Sequence, residues 1–252
     1  MANKKEKIKV DIILPNYNSS SYIKETIKSI MGQTFKNWRL IIVDDNSDKK
    51  TRNILKKYSK NKKIKIFWLK KNKGAGFCRN YAIKKSKSPY LAFIDSDDLW
   101  KKEKLKTQIK FMESNNYLFT YTCYKTFGKK VNFIRPKKEY NYEKFISDTS
   151  ICTSTIILKK NITKGIEFTN TPICEDYYFK CKILQIQNAY LLDDFLTMYR
   201  IRHNSLQSNS IKNFYWIWKI NKKYNNLNFF KNFFSLLLIS FNSFRKYGFK
   251  NF

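Results

Sequence analysis

Carboxylates crowd at one point of this 252-residue chain, where Asp95-Ser96-Asp97-Asp98 sets three acids within four residues. Such groups repel one another and resist burial, so they require a cation, solvent or a helix N-terminus. Two chemistries suit them. Asp97 or Asp98 could cap a helix opening near Trp100; alternatively the cluster could hold a divalent ion on a diphosphate, since a hard cation takes one or two carboxylates together with phosphate oxygens and water. A second acidic segment, Asp44-Asp45-Asn46-Ser47, is either a turn or an acidic strand end that accepts hydrogen bonds from a base or ribose. Arg79 brings a cation to the same crevice unless it lies on a solvated helix face. The preceding Lys73-Gly74-Ala75-Gly76 fails as a dinucleotide fingerprint, because Arg79 occupies the third glycine position.

The elements that must position these groups alternate. Residues 10–14, 40–43, 64–69 and 90–94 are short apolar runs, the pattern of buried parallel strands. After the first, Ser19, Ser20 and Ser21 offer an N-cap, and Ile23, Ile27 and Ile30 recur at helical spacing. Residues 76–87 read as another helix. The rhythm predicts an α/β fold with a doubly wound, mostly parallel sheet, whose ligand crevice lies beyond the carboxyl ends of the strands. Both acidic clusters fall at such ends, as does Pro15-Asn16-Tyr17-Asn18. From about Lys101 the pattern changes: a helix carrying Leu105, Ile109 and Met112, strands near 117–124 and 151–158, and a helix after Glu175 predict a small mixed sheet. From Ile211 onward the chain reads as a helical tail with many aromatics.

Composition limits the function classes. With 42% hydrophobic residues, 21 Phe and 17 Tyr, the chain has material for a full core and is not disordered. Its formal charge of +32 comes from 51 basic residues, 44 of them Lys. That points either to lysine-rich composition alone or to an anionic membrane surface; no nucleic-acid motif accompanies it. Five cysteines without a C-x-x-C pair argue against a disulfide framework or zinc site and imply a reducing compartment. The apolar stretch before Pro15 is too short for a signal peptide, and the longest apolar run, 233–241, is too short to span a bilayer.

The strings Ile13-Leu14-Pro15-Asn16-Tyr17-Asn18, Gln33-Thr34-Phe35, Ile42-Val43-Asp44-Asp45-Asn46-Ser47, Arg79-Asn80 and Phe93-Ile94-Asp95-Ser96-Asp97-Asp98-Leu99-Trp100, in this order, resemble family 2 glycosyltransferases of the GT-A fold. Thr153-Ser154, Glu175-Asp176-Tyr177 and the stretch from Tyr199 through His203 to Ser205 are similar to the acceptor-side and closing motifs of the bacterial branch that builds teichuronic-acid-type and other surface polysaccharides. The resemblance implies an inverting transfer from a nucleotide-diphosphate sugar, a UDP-sugar by the family's usual preference, to a saccharide or lipid-linked saccharide acceptor. Pro15, Tyr17 and Asp45 would hold the base; Arg79, Asp95, Ser96 and Asp97 would frame the ribose and diphosphate. Asp97 or Asp98 would bind Mn2+ or Mg2+, and Asp176 would be the general base, with Glu175 as the alternative. Arg79, Arg200 and His203 are candidates for the leaving diphosphate. Residues 1–210 would form the catalytic domain, with 1–100 the nucleotide half and 101–210 the acceptor half. Residues 211–252 would be a tail suited to the inner face of the cytoplasmic membrane. A non-catalytic nucleotide-sugar binder, or a basic membrane- or nucleic-acid-binding protein, are the competing classes.

Overall fold

In the computed structural model, which describes residues 9–202 and 210–247, ten strands form one sheet. β1 (Val10–Asn16), β2 (Trp38–Asp44), β3 (Ile64–Trp68) and β4 (Tyr90–Phe93) run parallel in the order β3-β2-β1-β4. Helices α1 (Ile23–Met31), α2 (Lys49–Lys56) and α3 (Ala75–Lys85) connect them. Successive side chains of a strand face opposite sides, and β1 shows the consequence. Val10, Ile12 and Leu14 enter a core with Ile23, Ile27 and Ile30 of α1 and Leu55 of α2, while Ile13 enters the opposite core with Cys78 and Ala82 of α3.

The sheet then continues without a break. β5 (Leu99–Trp100), α4 (Lys104–Ser114), β6 (Phe119–Gly128), β7 (Phe133–Ile134), β8 (Glu139–Tyr140), α5 (Tyr142–Ile146), β9 (Ile157–Lys159), α6 (Glu175–Leu184) and β10 (Ala189–Ile201) complete the body. Their order beyond β4 is β9-β6-β10-β5. β9 is antiparallel to both β4 and β6, and β6 is parallel to β10. The chain ends in α7 (Ser210–Lys223) and α8 (Phe229–Tyr247).

Three local expectations are corrected. The segment at Trp100 opens no helix: Leu99 and Trp100 pair antiparallel with Met198 and Thr197, so Asp97 and Asp98 cap nothing. Thr153 and Ser154 lie in a 3-10 turn ahead of β9 rather than within a strand. The three serines do not cap α1, whose N-cap is Tyr22 without a side-chain bond. Ser19 donates instead to Asn16 Oδ1. All five cysteines are free.

Candidate active site

The ends of β1 and β2 are welded by short polar side chains. Asn16 Nδ2 donates to Asp44 Oδ1 at 2.8 Å and to Ser47 Oγ at 3.2 Å, and Arg52 Nε donates to Asp44 Oδ2 at 2.9 Å. Asn18 and Asn46 adopt left-handed backbone, φ 44° and 61°, which their short amides tolerate better than most residues. Asp45 reaches the next connection: its two carboxylate oxygens accept from the backbone N–H of Lys73 and Gly74 at 2.7 and 2.8 Å. Pro15 sits in a central strand yet interrupts no ladder. It follows Ile13 on the side facing β4, whose pairing with β1 has already ended. Tyr17 stands at the rim, 53% exposed.

The 95–98 loop is built differently. Asp98 is fully buried, accepting from Ser154 Oγ at 2.5 Å and Arg200 N at 2.9 Å. Asp97 Oδ2 lies 2.7 Å from Arg202 Nε, and Arg200 Nε donates to the Asp97 carbonyl at 2.8 Å. The Ser96 carbonyl accepts from Thr26 Oγ1 at 3.1 Å. Burial, and then the like charge of their neighbours, pushes the Asp97 and Asp98 carboxyls above the ordinary range; Arg202 offsets this only in part for Asp97.

Arg79 ties this loop to α6. It is buried, and donates to Asp95 Oδ1 at 2.6 Å and to Glu175 Oε1 at 2.5 Å. Burial opposes its charge, but Asp95 and Glu175 hold the guanidinium above its ordinary value. Asn80 clamps the approach to α6, exchanging 2.9 and 2.8 Å bonds with the backbone of Phe168. Gly76 permits the contact: a Cβ there would stand 2.3 Å from the Thr169 carbonyl and 3.1 Å from Glu175 Cγ. The residue before α6, Cys174, holds a left-handed φ of 59°. Such backbone strain in a non-glycine residue tends to mark functional positions.

Asp176, in the first turn of α6, has a partner that sequence reasoning missed. Lys180, one turn on, donates to its Oδ2 at 2.7 Å, as does Thr153 Oγ1 at the same distance. The signal was the i,i+4 spacing of Asp176 and Lys180. Burial alone would raise this carboxyl; Lys180 and then Arg79 drive it well below the usual range. Glu175 moves the other way, raised by burial and by Asp176 against the pull of Arg79. Thr153 and Ser154 thus hold one carboxylate each, Asp176 and Asp98. Asp45 lies apart, bonded to the loop before α3, while Asp95, Asp97, Asp98, Arg79, Glu175 and Asp176 are linked through shared contacts. His203, Asn204 and Ser205 lie outside the described residues.

The sheet is mixed rather than mostly parallel, parallel through β3-β2-β1-β4 and largely antiparallel beyond, and with this polar edge at its strand ends it is a GT-A nucleotide-sugar fold. The glycosyl transferase family 2 model matches residues 11–179, and the chain belongs to that family. TuaG of Bacillus subtilis (strain 168), named provisionally as a teichuronic acid biosynthesis glycosyltransferase, is 32% identical over 88% of this chain and 90% of its own. WfaP of Escherichia coli, a UDP-Glc:alpha-D-GlcNAc-diphosphoundecaprenol beta-1,3-glucosyltransferase, is 37% identical over 81% of each. Among solved structures, residues 1–349 of S. aureus TarS in complex with UDP-GlcNAc superpose with a TM-score of 0.72 at 25% identity, covering 84% of this chain and 65% of that one. A Pyrobaculum calidifontis mannosyltransferase in complex with GDP-Man and Mn2+ shares the fold, with a TM-score of 0.69 at 14% identity over 89% of this chain and 66% of that one.

Proposed function

We propose that this chain is a metal-dependent, inverting transferase that moves a sugar from UDP to an acceptor hydroxyl in surface-polysaccharide or lipid-linked oligosaccharide synthesis, at the inner face of the cytoplasmic membrane. The observation that carries the reading is the Arg79 bridge, which sets Asp95 of the strand-end loop and Glu175, neighbour of Asp176, on one guanidinium. The donor class follows the UDP-linked substrates named for WfaP and TarS. Residues 1–100 are assigned the nucleotide and 101–210 the acceptor, with 211–252 as the tail.

Asp176 is assigned the base. Thr153 and Lys180 anchor Oδ2, leaving Oδ1 to take the acceptor proton. A carboxylate held this low is ionised at neutral pH and weak as a base. It suffices, because the acceptor oxygen becomes strongly acidic as its bond to the anomeric carbon forms. Pro15 and Tyr17 would flank the base, and Asp45 keeps lone pairs for a base N–H even while accepting two amides.

The donor set at 95–98 fits a hard cation. Asp95 and Asp97 crowd together, each with one oxygen on an arginine, and burial still pushes the Asp97 carboxyl up; one or two carboxylates are what a diphosphate-bound ion uses. We assign Asp97 as the ligand in preference to Asp98, whose two oxygens are engaged by Ser154 and Arg200. When bound, Mn2+ or Mg2+ would supply positive charge against the departing diphosphate. Arg79 contributes by holding Asp95 and Glu175 in place. The test is a panel of nucleotide sugars with manganese, scoring transfer and slow donor hydrolysis. One UDP-sugar should be consumed, and excess chelator should abolish the reaction; full activity in chelator overturns the metal assignment.

A further inference from the structure

Helix α8 is inside out. An ordinary surface helix buries its apolar stripe and shows its polar face to water. Here the side toward the body is largely polar: Asn232 Nδ2 donates to the Trp218 carbonyl at 3.1 Å, Ser235 Oγ to the Ile146 carbonyl at 2.5 Å and Asn242 Nδ2 to the Ser147 carbonyl at 2.9 Å. The apolar exceptions are Ile239, which is buried, and Leu236, half-buried against the core. The outward side carries Phe229, Phe230, Phe233, Phe234, Leu237 and Phe241, all exposed, Phe230 by 72%. Phe244 is half-buried. A contiguous apolar strip from Phe229 to Phe241, about three and a half turns, marks a surface that something covers.

Charge decides what covers it. Residues 211–252 hold eight Lys or Arg and no Asp or Glu. A second copy meeting this face about a two-fold axis would set like charges against each other. A bilayer with anionic headgroups meets both features at once, taking the rings among its acyl chains and the cations at its surface. We propose that α8 lies in the plane of an anionic lipid surface with its Phe and Leu strip inserted, and that Lys219, Lys222, Lys223 and Arg245, all exposed, meet the headgroups. Lys231 is partly committed to Glu143, at 2.8 Å. Trp218 packs edge-on against Phe229, centroids 5.5 Å apart, a place where an indole sits well at a water–lipid boundary. No helix among the described residues is long and apolar enough to cross the bilayer, so the contact is with its surface.

This inference stands apart from the catalytic reading, because lipid binding is measured without donor or acceptor. The full chain is sedimented with vesicles of phosphatidylcholine alone or mixed equally with phosphatidylglycerol. Binding to the mixed vesicles should be at least about tenfold stronger. Replacing the strip, with Phe230→Ser, Phe234→Ser, Leu237→Ser and Phe241→Ser together, should weaken it at least about tenfold. If that variant misfolds, the wild type still decides: acyl-brominated phosphatidylglycerol should quench tryptophan emission through Trp218. No quenching overturns the proposal. So does equal binding to both vesicle types, undiminished binding by a folded variant, or a wild-type dimer that ignores vesicles and that the variant dissociates.

Discussion

The two acidic centres of this site solve opposite electrostatic problems. At Asp95 to Asp98, carboxylates are buried beside one another with Arg202 as a partial counterion, and the Asp97 and Asp98 carboxyls are pushed up. At Asp176 a lysine from the same helix stands 2.7 Å away, and the carboxyl is driven down. In one centre burial outweighs the guanidiniums of Arg79 and Arg202, and in the other Lys180 outweighs burial. The comparison teaches that similar acids are pushed toward the neutral or the charged form according to what the fold has already placed beside them.

The comparison breaks first at Asp176. Asp176→Asn keeps the shape and the bond from Thr153 but removes the basicity, so kcat should fall about 10²- to 10⁴-fold while UDP affinity holds. Transfer within a few-fold of wild type would pass the role to Glu175. Next comes the centre at Asp95 to Asp98. Asp97→Asn should raise the Mn2+ concentration for half-maximal activity on the order of a hundredfold, and Asp98→Asn by less than about tenfold, because Asn can still bond Ser154 and the Arg200 amide. Equal shifts would erase the distinction drawn between them.

The smallest effect sharpens the contrast most. In wild type the Asp176 carboxyl lies below its ordinary range, so it is ionised from mild acid upward. Its stabilising contribution is present above the unfolded carboxyl value of about 3.9 and is lost only as pH falls through the lower folded value. Lys180→Met removes the main depressing charge. Burial then dominates, although Arg79 of α3 still lowers the group and Glu175 beside it opposes ionisation. The acid limb of the kcat/KM profile should move to higher pH, with only a few-fold loss at pH 8. A limb that stays put would make Lys180 a packing residue.

The four parallel strands were legible because burial on both faces leaves continuous apolar runs, and the acidic motifs because they punctuate those runs. β10 was hidden. Asp193 and Asp194 interrupt it where the register with β6 shifts between Leu192 and Phe195, a bulge that no alternation pattern anticipates. β5 was masked by the capping chemistry of the acids before it; only its pairing to β10 makes Leu99-Trp100 a strand. Asp176 was singled out by resemblance to the family motif. Its setting was not, since the bond from Thr153 crosses 23 positions and depends on a turn rather than the expected strand.

β9 bonds to β4 on one side and to β6 on the other, so the strands that present Asp95 and those that back α6 share a single hydrogen-bonded fabric. An enzyme assembled from two lobes can clap shut on its substrates; among the described residues here, one sheet runs from β3 to β5 with no linker for such a stroke to pivot on. Whatever gating turnover requires falls to the loops at the rim, such as the one that carries Tyr17. The distance between the place where a nucleotide would rest and the carboxylate that would take the proton is thus a fixed dimension of the scaffold, set when the chain folds.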